Sequence, residues 1–119
     1  MRHKIKTGVA WVLAILLAIG FLFFGGVKLT SNPAMIREFE QIGFGQWLRY
    51  FTGGLEVVGA IGVLIPRFRF CAALQLAIVM AGATLTNLVI LHVPPVAGVT
   101  TMLMALALAL AWLRRPINA

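Results

Sequence analysis

Charge is what this sequence has least of. Of its 119 residues only 11% are Asp, Glu, Lys or Arg, while 61% are hydrophobic and the mean hydropathy is +1.00. A soluble domain carries roughly a quarter of its residues as charges; a chain this poor in them could not cover its own apolar surface in water. Cysteine is nearly absent too. Cys71 stands alone, so no intrachain disulfide forms, and a thiol oxidoreductase that shuttles electrons through a cysteine pair is excluded within the chain. Cys71 itself is expected to be a buried structural residue. There is no repeat, no low-complexity tract, no phosphate loop, no nucleophile–base pair and no metal signature.

What the sequence has in abundance is long apolar runs. A bilayer core takes about 20 apolar residues per helical crossing. Four such helices are expected, at 8–27, 47–65, 70–91 and 96–113, in a single domain spanning 1–119 with no room left for a soluble catalytic unit. Pro66 and Pro94-Pro95 punctuate the connections, because proline lacks an N–H and fixes φ. The alternating Ala-Leu stretch at 105–110 has the period of a strand, yet an isolated strand would leave its backbone unpaired in lipid, so helix wins. The first run is longer than the apolar stretch of a secretory signal and ends without a small-x-small cleavage site; it is expected to be a retained helix. The fold class that follows is an all-α membrane protein, a four-transmembrane-helix bundle.

The formal charge of +7 does not mark a nucleic-acid binder, because the basic residues form no single face. They sit in small groups between apolar runs, as topology charges do. Arg2, Lys4, Lys6, Arg67, Arg69, Arg114 and Arg115 fall on one side, Lys28, Arg37 and Arg49 on the other. The positive-inside rule then puts both termini in the cytoplasm, with Trp11 and Trp112 at the inner interface and Trp47 at the outer one.

The connection between the first two spans holds a helix of its own. Ser31-Asn32-Pro33 is a start signal, with Asn32 as cap, and Gly43 a stop. Met35, Ile36, Phe39 and Ile42 share one face; Arg37, Glu38, Glu40 and Gln41 share the other. Such a helix lies flat at the outer interface, either as a rest for the loop or as a cover over a cavity between the bundle helices.

Within the membrane the residue that stands out is Glu56. A lone carboxyl at that depth costs about 2.5–3.5 kcal/mol on insertion scales, so it faces protein or water and takes a partner. Arg49, Thr52, Gly53, Gly59 and Ala60 share its stripe of the second span, with Phe51, Val58, Ile61 and Ile65 opposite. Arg49 lies about 10 Å away in helical rise, and Lys28 at the outer end of the first span is an equal candidate for partner. On the third span Gln75, Gly82 and Thr86 share a face bordered by Asn87. Lys28, Arg49, Glu56, Thr86 and Asn87 are thus the candidate binding pocket, in the outer half, with Gln75 and His92 as second-tier polar residues. Structural roles compete with this reading: Glu56 as a salt-bridge member, Gln75 and Asn87 as interhelical hydrogen-bonders, Lys28 and Arg49 as snorkelling cations, His92 as an interface residue without a second metal ligand.

A Gly-Gly-Val-Lys-Leu exit from the first span (Gly25–Leu29), then Phe44–Arg67 with its Gly53-x-x-Glu56-x-x-Gly59 core, then an Ala- and Gly-rich third span: in this order the chain resembles the DoxX-like family of small four-helix membrane proteins. The resemblance covers roughly 8–115 and implies four helices, cytoplasmic termini, residence in the bacterial inner membrane and a glutamate in the second span, with Glu56 and more loosely Lys28 as the transferable positions. It also implies a link to quinone-dependent redox, since members include a subunit of thiosulfate:quinone oxidoreductase and proteins of quinone or oxidative-stress resistance. Three functions fit. The chain is a redox-associated subunit binding a quinone or another small amphipathic molecule near Glu56, with a redox partner subunit; or an assembly scaffold for a larger complex; or, as an oligomer, a small-molecule or proton-coupled transporter. On each, it is not an enzyme by itself and has no intrinsic cofactor; beyond the lipid bilayer its partners are a quinone-like ligand, other subunits or further copies of itself, and not nucleic acid.

Overall fold

A computed structural model of the chain describes residues 2–30 and 33–115, with the side chains of Arg2 and His3 left aside. The expected Asn32 cap lies outside the described residues. Among them every regular element is helical: α1 Arg2–Leu29, α2 Pro33–Ile42, α3 Trp47–Leu64, a single 3-10 turn Pro66–Phe68, α4 Arg69–Val89 and α5 Pro94–Leu113. α1 starts at Arg2, earlier than the apolar run itself, because no helix breaker separates the basic first turns from it. α5 starts at Pro94, since its first turn tolerates proline, whose missing N–H has no intrahelical partner there.

The chain is an all-α membrane protein. α1, α4 and α5 are each long and apolar enough to cross a bilayer; α3, which carries Arg49 and Glu56, is not among them. These helices are apolar all round, as lipid requires of a span: Val12, Leu16, Ile19 and Phe23 of α1 point outward while Ala10, Ala14, Leu17 and Phe21 are buried. Small residues such as Ala10 and Ala14 let the neighbouring helices come close, with Leu17 and Phe21 filling the space between them, the packing expected where helix association depends on close van der Waals contact.

α1, α3, α4 and α5 run up and down in chain order. α1 lies antiparallel to α3, with Gly25 against Gly53; α3 lies antiparallel to α4, with Gly59 against Leu76 and Gly62 against Ala72; α4 and α5 meet at Thr84 and Thr100. α5 returns to α1, where the Lys6 ammonium lies 6.0 Å from the Trp112 ring, closing the ring of four. The expected short helix is present as α2, ended by Gly43 in the left-handed conformation (φ 86°) that glycine adopts freely.

Two expectations are corrected. Cys71 is exposed, turned outward from the first turn of α4; facing hydrocarbon costs a weakly polar thiol little. Arg69 is buried, 2% exposed, rather than lying free in the connection between spans. Its Nε donates to the Val63 carbonyl at 2.6 Å and its guanidinium lies 4.1 Å from the Trp11 ring. A cation on the terminal carbonyls of α3 answers both the orphan acceptors and the helix dipole.

Candidate functional site

The half of the bundle nearest α2, named outer after the side that the charge pattern assigns to it, is hollow. A cavity of about 690 Å³ lies between the outer halves of α1 and α5, over α3 and α4, with α2 across it. Its walls are mostly apolar: Phe23, Phe24 and Val27 from α1, Phe39 and Ile42 from α2, Val99 and Leu103 from α5. That volume lies within the range of small-molecule pockets.

Glu56, midway along α3 and 1% exposed, belongs to this wall. Its Oε1 accepts from Lys28 Nζ at 2.8 Å. The approach is set by glycine on both helices. A Cβ on Gly25 would come within 2.8 Å of the Gly53 carbonyl oxygen, and one on Gly53 within 2.9 Å of Lys28 Cβ; only bare backbones let α1 and α3 close to this distance. The other oxygen, Glu56 Oε2, is buried and has no hydrogen-bond partner, and the same is true of Asn87 Oδ1. Both residues line the cavity. A buried acceptor without a donor is a costly rarity, and here two occur at one site.

Of the residues expected to form a pocket, Lys28, Glu56, Thr86 and Asn87 line the cavity together. Arg49 does not. It is buried behind the wall, 3% exposed, where its Nη1 donates to the carbonyls of Lys28 (2.7 Å) and Thr30 and its Nε to Gln46 Oε1 at 2.8 Å. Arg49 therefore caps the C-terminus of α1, as Arg69 caps that of α3, and leaves Glu56 to Lys28. Gln75 turns away from the cavity and donates to the Leu55 carbonyl at 2.9 Å, tying α4 to α3. His92 is exposed, in the left-handed region (φ 54°), where the chain turns out of α4 toward α5. Among the described residues no three of His, Cys, Asp and Glu converge in a way that could hold a metal ion.

Two polar residues of the wall, Thr100 and Glu38, escape a reading by helix face alone, while Thr52 joins the wall from the stripe it shares with Glu56. Thr52 and Thr100 donate to the carbonyls of Leu48 (2.8 Å) and Ala97 (3.0 Å). Glu38, placed on the solvated face of its helix by sequence, lines the cavity with Met35, Phe39 and Ile42 at i, i+3, i+4 and i+7. The signal was present in that spacing, but a carboxylate is not expected on the covered side. Burial pushes its pKa above the ordinary value of 4.5, and the Lys28 charge pulls it back in part. α2 is thus a cover over the cavity rather than only a rest for the loop.

The sequence model of the DoxX-like family matches residues 12–112, which takes in every helix of the bundle and α2. The chain belongs to the DoxX-like family. No curated protein and no solved structure matches it. Within this member of the DoxX-like family, the geometry brings the glutamate of the second bundle helix and the lysine that leaves the first into one ion pair at a cavity wall.

Proposed function

We propose that this chain is a redox-associated subunit of the bacterial inner membrane that holds a quinone-like amphipathic molecule in the outer cavity. The observation that carries the reading is the Lys28–Glu56 pair beside an apolar cavity of about 690 Å³, with one carboxylate oxygen still unpartnered. In this reading α3 crosses with the other three helices, both termini face the cytoplasm, and 1–119 is one domain. Crossing by α3 would be supported by its position between two spans and by Glu56 having its charge answered inside the bundle.

The residues fit such a group. A ring finds Phe23, Phe24, Phe39 and Phe51 around it, and aromatic contacts add to apolar burial. Lys28 Nζ keeps donors beyond the one given to Glu56, and they orient a ring oxygen. Glu56 Oε2 takes or returns a proton at that oxygen, with its neighbour Oε1 held in place by Lys28. A bound quinone would supply two-electron redox chemistry, with the electrons coming from a redox partner subunit. Family membership supports the membrane setting; the link to quinones follows from the likeness to family members tied to quinone redox.

Titration of a short-tailed quinone and its reduced form into purified protein in nanodiscs tests this. Wild type should bind saturably, and Glu56→Gln should bind the reduced form severalfold more weakly. Equal, unsaturable binding by both proteins would overturn the reading.

A further inference from the structure

The polar groups around the cavity are lopsided. Thr52 and Thr86 each donate their hydroxyl proton to a backbone carbonyl one turn earlier, both at 2.8 Å, so what they offer the cavity is lone pairs, while the Thr100 hydroxyl is taken up by the Ala97 carbonyl (3.0 Å) and the Thr84 hydroxyl (2.7 Å). Glu56 Oε2 and Asn87 Oδ1 are acceptors without donors. Against these stand the Asn87 amide N–H groups and the Lys28 ammonium, one of whose donors is already given to Glu56 Oε1 at 2.8 Å. Carboxylate and amide ends turn about a soft terminal torsion, so either orphan oxygen reaches the cavity by a small rotation.

We infer that the cavity selects ligands whose aromatic head carries hydrogen-bond-donating hydroxyls, a phenol or hydroquinone, over the oxidised quinone or an alkylated ether of the same shape. This rests on the aromatic-amphiphile reading above and adds the sense of the hydrogen bonds. A hydroxyl head satisfies the orphan oxygens; a carbonyl or ether head leaves them buried without donors and has only Lys28 and the Asn87 amide to accept from. A site built of unpaired acceptors rejects the analogue that lacks the donor far more strongly than it registers a change of shape. The ligand is not a cation, because an added positive charge would meet the Lys28 ammonium at the same wall.

The test is a calorimetric series on wild-type protein in nanodiscs with decylhydroquinone, decylquinone and the bis-methyl ether of the hydroquinone. The hydroquinone is expected to bind roughly tenfold or more tighter than either of the others. Glu56→Gln and, separately, Asn87→Leu should weaken the hydroquinone severalfold and leave the ether unchanged. Equal affinity for all three compounds, or preference for the quinone, overturns the hydroxyl selectivity while leaving the cavity as an amphiphile site. Saturable binding of none overturns both the selectivity and the function on which it rests. The ligand series needs no variant, so a misfolded mutant does not decide the matter.

Discussion

The two ends of the bundle are built from the same kinds of residue and solve opposite problems. At the inner end Ala10, Ala14, Val63, Ala73 and Ala107 are fully buried and form part of one apolar cluster. The buried cation there, Arg69, spends its donors on the Val63 and Leu64 carbonyls and its flat face on Trp11. At the outer end the side chains lining the cavity stand apart, and two buried acceptors go unanswered. Arg49 is the outer counterpart of Arg69: it caps α1 and lies 4.3 Å from the Tyr50 ring. What differs is Lys28 and Glu56, whose bonding capacity exceeds what the chain supplies. One end closes the bundle and leaves a single buried donor, Arg114 Nε, unpaired; the other leaves two acceptors unpaired beside a cavity.

Breaking the pair should have the largest effect. Lys28→Met leaves a buried carboxylate without its cation and should destabilise the fold by about 3–5 kcal/mol, whereas Lys28→Met with Glu56→Leu should recover most of that. Unfolding in mixed micelles measures both, and a double variant no more stable than the single would argue that the pair is not the element at stake.

Enlarging a residue at each end sharpens the contrast. Ala107→Leu, in the closed inner cluster, should cost about 1–3 kcal/mol through overpacking. The same change at Ala83, on the cavity wall, should stay within about 1 kcal/mol while reducing ligand binding. Similar losses at both positions would remove the distinction between the two halves.

The smallest expected effect is one of pH. Glu38 holds its proton to higher pH in the folded protein than in the unfolded chain, because burial disfavours its charge more than Lys28 favours it. Its contribution to stability is therefore complete below the ordinary value of 4.5 and is lost as pH rises through the raised folded value. Replacing it by Gln should flatten the stability profile in that window, as followed by unfolding midpoints at stepped pH. An unchanged slope would mean that the carboxyl is hydrated despite its position under α2.

Several features of the site were legible from one helix at a time. Periodicity alone turns Glu56, Gly53 and Gly59 to the same inner stripe, and the structure buries all three. The Gly43 stop and three of the four apolar positions expected on α2, Met35, Phe39 and Ile42, were equally local, while Ile36 does not line the cavity. Gln75 shows where that reasoning ends: it shares a helical face with Gly82 and Thr86, yet its long side chain swings to α3 and leaves the cavity to the shorter Thr86. A helical wheel orders directions about one axis and does not say how far a flexible side chain reaches.

Composition and the long unbroken apolar runs by themselves determined that this is a helical membrane protein, since barrel strands are shorter and alternate polar with apolar residues. They also determined that one carboxyl must turn inward. Only the tertiary structure decided that Lys28 rather than Arg49 answers it, that Arg49 and Arg69 close helix ends, that Glu38 lies beneath α2 and that Cys71 faces outward. The reason is that burial preference is a property of each segment, whereas the choice of partner depends on the register between helices, set here by contacts such as Gly25 against Gly53.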